Sequence, residues 1–220
     1  MSLHGAIQSV LTDPVFLGVW GALVFGALAT LVADLLLKNE ALGSLMKFVW
    51  VFTVLYSGPL GLAIYYYAGR AQIPHDSVWR RGFRSVSHCY SGCGAGEITG
   101  VVIALGLLSL GNLYVALTTF AFAYVFGYAM TVGPLLQEGV PFEEAMRDAF
   151  YTETPSITVM EVVAIGTDLW LAGEAGMTDV LFWSALVFSL SLGLLAAYPV
   201  NVLLIHFGVK EGMMNPAEMA

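Results

Sequence analysis

The chain has 220 residues, of which 58% are hydrophobic and 11% charged, and its mean hydropathy is +0.80. This composition lies outside the range of soluble globular domains and predicts an all-α membrane protein. Lys and Arg number 8 against 16 acidic residues, and the formal charge is −8. The chain therefore lacks the basic surface of a nucleic-acid-binding protein, and its expected surroundings are the lipid bilayer.

Six stretches are long and apolar enough to cross a bilayer, because about 20 apolar residues span its hydrocarbon core. They are residues 15–37, 45–67, 89–110, 113–136, 156–171 and 181–206. The sequence therefore predicts a polytopic bundle of about six transmembrane helices. Residues 1–87 would form two helices and a basic loop, residues 88–212 a four-helix core, and residues 213–220 an acidic, Met-rich tail.

The distribution of Lys and Arg predicts the orientation, because cytoplasmic loops are enriched in both. With six spans, the termini and the second and fourth loops lie on one side of the membrane. That side carries Arg70, Arg80, Arg81, Arg84, Arg147 and Lys210, and the other carries only Lys38 and Lys47. We therefore expect a multi-pass protein of the inner or cell membrane with both termini in the cytoplasm.

Three of the connections have distinct patterns. The second loop, residues 70–87, holds half of the basic residues and is expected to anchor the protein among anionic headgroups. The third loop, at Gly111 and Asn112, is so short that the third and fourth spans should form a tight antiparallel hairpin. In the fourth loop, apolar residues after Pro141 recur at helical spacing among charges, which predicts a short interfacial helix.

Proline and glycine residues indicate where several of the predicted helices begin or are interrupted. Thr154 and Pro155 have the residue types of a helix start, so we expect the fifth span to begin there. Helix breakers at Gly58, Pro134 and Pro199 are expected to interrupt the second, fourth and sixth spans, because proline frees a backbone carbonyl.

The segment 87–97 places both cysteines of the chain, a histidine and a carboxylate at the mouth of the third span. At helical spacing Cys89, Cys93 and Glu97 share one stripe. With the adjacent His88, two thiols would form a soft site suited to copper(I) or zinc, with Glu97 as a further ligand. The alternative is that both thiols are inert, since cysteines in apolar surroundings usually behave as small hydrophobic residues.

Two methionines lie where they could extend such a site. Met130 is in the fourth span and Met160 in the fifth, and thioether sulfurs are ligands for copper(I). A methionine in a membrane core more often serves packing alone, so the two interpretations stay open.

Two glutamates inside spans form the second candidate site, because ionisable groups in a bilayer usually face the bundle interior and serve a function. Glu97 and Glu161 lie at similar depth in helices that start on the same side, so we expect them to meet. They would then share a proton or hold a cation between them. Tyr128, Thr131 and Asn201 would extend an ion pathway. The alternative is that each carboxyl is neutral and only packs.

Gly92, Gly96 and Gly100 line a stripe next to the cysteines. Small residues at this spacing allow another helix to approach closely. The approaching helix could belong to the same chain, or to a second copy in a homo-oligomer.

Four motifs carry a family resemblance. They are His88-Cys89-Tyr90-Ser91-Gly92-Cys93 with Gly96-Glu97; Gly127-Tyr128-Ala129-Met130-Thr131 with Pro134-Leu135-Leu136; Thr154-Pro155-Ser156-Ile157 with Met160-Glu161; and Tyr198-Pro199-Val200-Asn201. Over residues 84–212 the chain resembles the bacterial and archaeal membrane family known as domain of unknown function 4396. Some members resemble proteins labelled as copper-related. The resemblance implies a shared site in the last four spans and supplies no reaction.

Three functional hypotheses follow. The first is a membrane protein that binds and transports or conducts a cation, with copper(I) favoured. The second is a proton or sodium pathway without a metal, and the third is a structural subunit of a membrane complex. An enzyme is the least favoured class, because the chain contains no phosphate-binding loop, nucleophile elbow or zinc-protease helix motif.

Overall fold

The computed structural model describes residues 2–73 and 75–218, and over them the chain is helical without strands. The helices are α1 (Leu3–Leu11), α2 (Pro14–Leu37), α3 (Ser44–Ser57), α4 (Pro59–Ala68), α5 (Val78–Val101), α6 (Asn112–Gln137), α7 (Phe142–Leu171) and α8 (Val180–His206). A π-helical turn, Val102–Leu107, extends α5, and a 3-10 turn, Pro216–Glu218, lies near the C-terminus. The predicted all-α class is confirmed. Residues 219 and 220 of the predicted tail lie outside the described residues.

Four of these helices are long and apolar enough to cross a membrane: α2, α5 with its π-helical extension, α6 and α8. The longest helix, α7, has 30 residues but carries more polar side chains. Most side chains of α2 are apolar and exposed, as expected for a helix in contact with lipid. The chain therefore has the helix lengths and composition of an integral membrane protein.

Helices α5 to α8 form an antiparallel four-helix core. The π-helical extension of α5 ends at Leu107 and α6 begins at Asn112, so the predicted tight hairpin is confirmed. On α8, Gly193 lies against Met160 of α7. Ring stacking of Phe83 on Tyr198, with centroids 3.8 Å apart, joins α5 to α8.

The predicted second span is instead a helical hairpin that turns back on itself. A Cβ atom added to Gly61 of α4 would lie 2.6 Å from the Thr53 carbonyl oxygen of α3, and Trp50 packs on Tyr65 at 5.4 Å. The turn is at Gly58, whose φ of +56° is costly for other residues. At 14 and 10 residues, α3 and α4 are only about 21 and 15 Å long, too short for a core of about 30 Å.

The bundle has two chemically different ends. At one, which we call the α1 end, Gln8 of α1 donates to the Leu171 carbonyl at the end of α7 (2.8 Å). At the other, the basic end, Arg70 pairs with Asp34 at 2.9 Å, and Arg84 donates to the Met213 carbonyl at 3.1 Å. Helix α1 and the C-terminal segment 207–218 therefore lie at opposite ends of the bundle. The prediction of both termini on one side of the membrane assumed six full spans, whereas four of the described helices are long and apolar enough to be spans.

Two helix starts differ from the predictions. Helix α5 begins at Val78, where the Ser77 side chain accepts a hydrogen bond from the Arg80 backbone N–H, so much of the predicted second loop is helical. Helix α7 begins at Phe142, so the predicted interfacial helix is its first part and Pro155 lies inside it.

Prolines interrupt fewer helices than predicted. Pro134 and Pro199 lie within α6 and α8, and only the break at Gly58 is present. A membrane helix tolerates proline when neighbouring groups satisfy the freed backbone.

Candidate functional site

Both cysteines point into the four-helix core. Cys89 and Cys93 are 1% and 0% exposed, and their Sγ atoms are 3.8 Å apart. The Ser156 hydroxyl of α7 lies 3.8 Å from the Cys89 sulfur, and the Cys93 sulfur lies 3.8 Å from the Ala123 carbonyl oxygen of α6. The two side chains therefore share one stripe of α5, as predicted, and they are free thiols enclosed by α6 and α7.

Glu97 and Glu161 lie deeper in the core, 2% and 0% exposed. The two carboxyl groups are close enough to interact electrostatically, and the Cys93 thiol neighbours Glu161. Among the described residues, neither oxygen of Glu161 has a hydrogen-bond partner, and Oε2 of Glu97 has none either. The structure thus brings the two glutamates together and leaves three buried carboxyl oxygens without protein partners.

A buried ion pair lies toward the basic end of the same core. Lys210 Nζ is 2.8 and 2.9 Å from the carboxylate oxygens of Glu153, and it also donates to Asn201 Oδ1 at 3.3 Å. The Thr131 hydroxyl donates to Glu153 at 3.2 Å. The predicted pathway residues Thr131 and Asn201 therefore meet around an ion pair between α7 and the segment that follows α8.

Asn201 connects this ion pair to the thiols. Its side-chain amide donates to Ser156 Oγ at 2.6 Å, and Ser156 in turn contacts Cys89. On the far side of Glu97 lies Asp168 of α7, within electrostatic range of that carboxyl group.

These ten side chains follow one another through the core and are called the polar file; contacts of 3.8 Å or less join the first seven, and the last three are carboxyl groups within electrostatic range of a neighbour. The polar file consists of Thr131, Glu153, Lys210, Asn201, Ser156, Cys89, Cys93, Glu161, Glu97 and Asp168. From residue 153 to residue 168, α7 rises about 22 Å, so the polar file runs through most of the core.

The tyrosines of α6 face α7 and not the glutamates. Tyr128 bonds the Thr154 hydroxyl at 2.6 Å, and Tyr124 bonds the Thr158 hydroxyl at 2.5 Å. Tyr128 was predicted to belong to an ion pathway, but its hydroxyl joins α6 to α7 beside the polar file.

Among the described residues, His88, Met130 and Met160 make no hydrogen bond to the thiols. His88 is buried, with its ring beside the Met130 backbone and its Nδ1 without a partner among the described residues. Met130 packs against Gly92, and Met160 packs against Gly193 of α8. Over residues 2–73 and 75–218, no three His, Cys, Asp or Glu side chains are close enough together to hold a metal ion.

The glycine stripe of α5 packs against another helix of the same chain. Added Cβ atoms at Gly96 and Gly100 would lie 2.4 Å from the Phe122 carbonyl oxygen and 2.7 Å from Thr119 Cα. Helix α6 of the same chain therefore packs on the stripe, and a homo-oligomer stays a prediction.

The basic cluster of the predicted second loop does more than anchor the surface. Arg84 is fully buried, pairs with Asp76 at 2.7 Å, and donates to the carbonyls of Ala68 and Met213. Arg80 lies over the Tyr67 ring. These contacts join α5 to the α4 end of the hairpin and to the C-terminal segment.

Sequence reasoning missed three acidic residues, of which Asp34 and Glu153 are buried and Asp168 is partly buried. Asp34, inside the predicted first span, pairs with Arg70 and accepts from Tyr65. Asp168 lies inside the predicted fifth span, so its position alone could have indicated it. Glu153 had no such signal, since it falls in a segment that was interpreted as an interfacial helix.

Comparison with known proteins assigns the core to a family. No curated protein and no solved structure matches the chain significantly. The model of one family, described as domain of unknown function 4396, matches residues 78–210. The match covers α5 to α8 and Lys210, and therefore all ten members of the polar file. The chain belongs to the DUF4396 family.

Proposed function

We propose that this protein conducts or transports protons across a membrane along the polar file. The observation that supports this function is the burial of Glu97 and Glu161 together, with carboxyl oxygens that have no partner among the described residues. A buried carboxyl without partners is costly in a bilayer, and such groups commonly mark proton relays.

The chemistry of the neighbouring groups favours protons. Thiol and hydroxyl groups each donate and accept a hydrogen bond, so Cys89, Cys93 and Ser156 can pass a proton in either direction. The opposite charges of Lys210 and Glu153 neutralise each other at one end of the polar file. Asp168 provides a carboxyl group toward the other end.

The charge distribution supports a membrane topology that differs from six spans. In it, α2, α5, α6, α7 and α8 cross the bilayer, while α3 and α4 enter and leave on one side. All eight Lys and Arg residues then lie at or near the basic end. Because cytoplasmic segments are enriched in these residues, the basic end is cytoplasmic and α1 is external.

Proton flux into liposomes tests the function directly. The purified protein is reconstituted with a pH-sensitive dye inside, and a potassium diffusion potential is applied. We expect wild-type vesicles to acidify, and Glu97→Gln and Glu161→Gln to reduce the rate to that of protein-free vesicles. Glu144→Gln, at an exposed site on the first turn of α7, is the matched control and should retain the rate. Equal rates for wild type and both glutamine variants would exclude the proposed pathway.

A soft metal site at the thiols is a second candidate, and one distance favours it. With metal–sulfur bonds of about 2.3 Å, two thiolates on a tetrahedral ion lie about 3.8 Å apart. The Cys89 and Cys93 sulfurs have that separation. Copper(I) or zinc would need further ligands, and Glu161 lies next to Cys93.

Elemental analysis separates the two candidates. Protein purified without chelators is analysed for copper and zinc beside the Cys89→Ser/Cys93→Ser variant. A stoichiometric metal that is lost in the variant supports a metal site. A metal-free protein whose double variant keeps its proton flux supports the pathway without metal.

A further inference from the structure

A groove of about 600 Å³ lies between α2, α8 and the tip of the α3–α4 hairpin. Its lining is almost entirely aliphatic and aromatic, and its few polar groups are the hydroxyls of Ser57, Ser184 and Ser191. Pockets of this size and character bind small apolar or amphipathic molecules.

The short hairpin explains why the groove exists. The tip at Gly58 lies against Trp20 and Val24 of α2, where added Cβ contacts measure 3.3 and 2.9 Å. These residues are six and ten positions after Pro14, so the tip stops about 9 to 15 Å short of the α1 end of α2. Above the tip, the described residues leave a gap between α2 and α8 that Leu11 of α1 closes at its end.

The groove is open at its side. Phe16 of α2 and Trp183 of α8, which line it, are each 39% exposed. An apolar cavity does not hold water well. In the topology proposed above, the groove occupies the outer half of the bilayer, a depth of about 15 Å that the acyl chains of one leaflet fill.

We propose that the groove binds one acyl chain of an outer-leaflet phospholipid. The chain enters between Phe16 and Trp183, and its end reaches Leu60 and Ser57 at the hairpin tip. Ser57 Oγ is 3.3 Å from the Tyr90 hydroxyl, so the end of the bound chain lies close to α5. The inference depends on the proposed topology and not on ion movement.

Photo-crosslinking tests the site. The protein is reconstituted into nanodiscs that contain a phosphatidylcholine with a diazirine at the end of one acyl chain, illuminated, digested and mapped by mass spectrometry. We expect label concentrated on the groove lining of α2, α4 and α8. Leu60→Trp and Val187→Trp, which fill the groove from two different helices, should each remove most of that label. Val125→Trp, on the exposed face of α6, is the control and should leave it unchanged.

Three results would overturn the proposal. The first is label spread evenly over the groove and the exposed faces of α2 and α6. The second is rapid modification of Leu60→Cys by a charged, membrane-impermeant thiol reagent, which would show that water fills the groove. The third is a groove that carries no lipid label and whose residues a bifunctional chemical crosslinker joins to a second copy, which would show that a second copy occupies it. None of these readouts involves proton flux, so failure here is distinguishable from failure of the proposed function.

Discussion

At the scale of residues, the pair of Lys210 and Glu153 determines how the C-terminal segment is held. Lys210 lies after the last turn of α8, and its ammonium reaches back between α7 and α8 to the carboxylate. The side chains are 8% and 4% exposed. Removal of water from two charges is costly, and their mutual attraction together with bonds to Asn201 and Thr131 offsets that cost.

Lys210→Met should therefore strongly destabilise the protein, because it leaves Glu153 buried without its cation. We expect a loss of about 3 to 5 kcal/mol in the free energy of unfolding, the range for one broken buried pair. Denaturation in mixed micelles followed by circular dichroism measures it. Glu153→Gln combined with Lys210→Met should recover much of the loss, and Arg147→Met, at an exposed site, should change little. An effect of Lys210→Met no larger than that of Arg147→Met would contradict this account.

At the scale of helices, close backbone contact holds α5 and α6 together. The glycines of α5 let the two helices approach until the Phe122 carbonyl lies where a Cβ atom at Gly96 would be. In a membrane, packing of this kind replaces the hydrophobic effect, because lipid chains are as apolar as the side chains. The same contact sets the distance between the thiols on α5 and the residues of α6.

Gly96→Ala should push α6 away from α5, since the obstructing atom is backbone and cannot rotate aside. We expect a destabilisation of about 1 to 3 kcal/mol, the usual cost of overpacking. Gly166→Ala in α7 is the matched control, because no heavy atom lies within 4 Å of its added Cβ. Thermal unfolding in detergent should therefore show a lower midpoint for the first variant only. Equal midpoints would mean that α5 and α6 are not tightly packed.

At the scale of the whole molecule, the half-length hairpin determines the topology. Because α3 begins and α4 ends on the side of Asp34 and Arg70, the chain returns to the side that α2 reached. In the proposed topology the chain then crosses the membrane an odd number of times, and Lys38 and Lys47 lie on the same side as the other basic residues. With six spans, those two lysines would lie on the opposite side of the membrane from the rest.

Site-specific labelling with a membrane-impermeant maleimide distinguishes the two topologies. Glu40→Cys, in the exposed loop between α2 and α3, should react only in inside-out vesicles, and Thr178→Cys, before α8, only in intact cells. The native Cys89 and Cys93 are buried and should give little background, which the unsubstituted protein checks. Labelling of Glu40→Cys in intact cells would instead support six spans.

Much of the core and the candidate site could be predicted from the sequence. Helical periodicity placed Cys89 and Cys93 on one stripe, and their position inside apolar segments indicated that Glu97 and Glu161 are buried. Neither inference requires long-range information, because a helix sets the spacing of its own side chains. Asp34 and Asp168 could have been found by the same rule.

The sequence by itself determined a helical membrane protein with two buried glutamates near two thiols, because hydropathy and helical spacing are local properties. Only the tertiary structure decided that residues 44–68 turn back at Gly58. Hydropathy cannot distinguish one long apolar helix from two short antiparallel ones, since both bury the same residues. Only the fold brought Lys210 to Glu153, 57 positions away. Contacts between distant segments depend on how the helices pack, and local sequence patterns do not predict that packing.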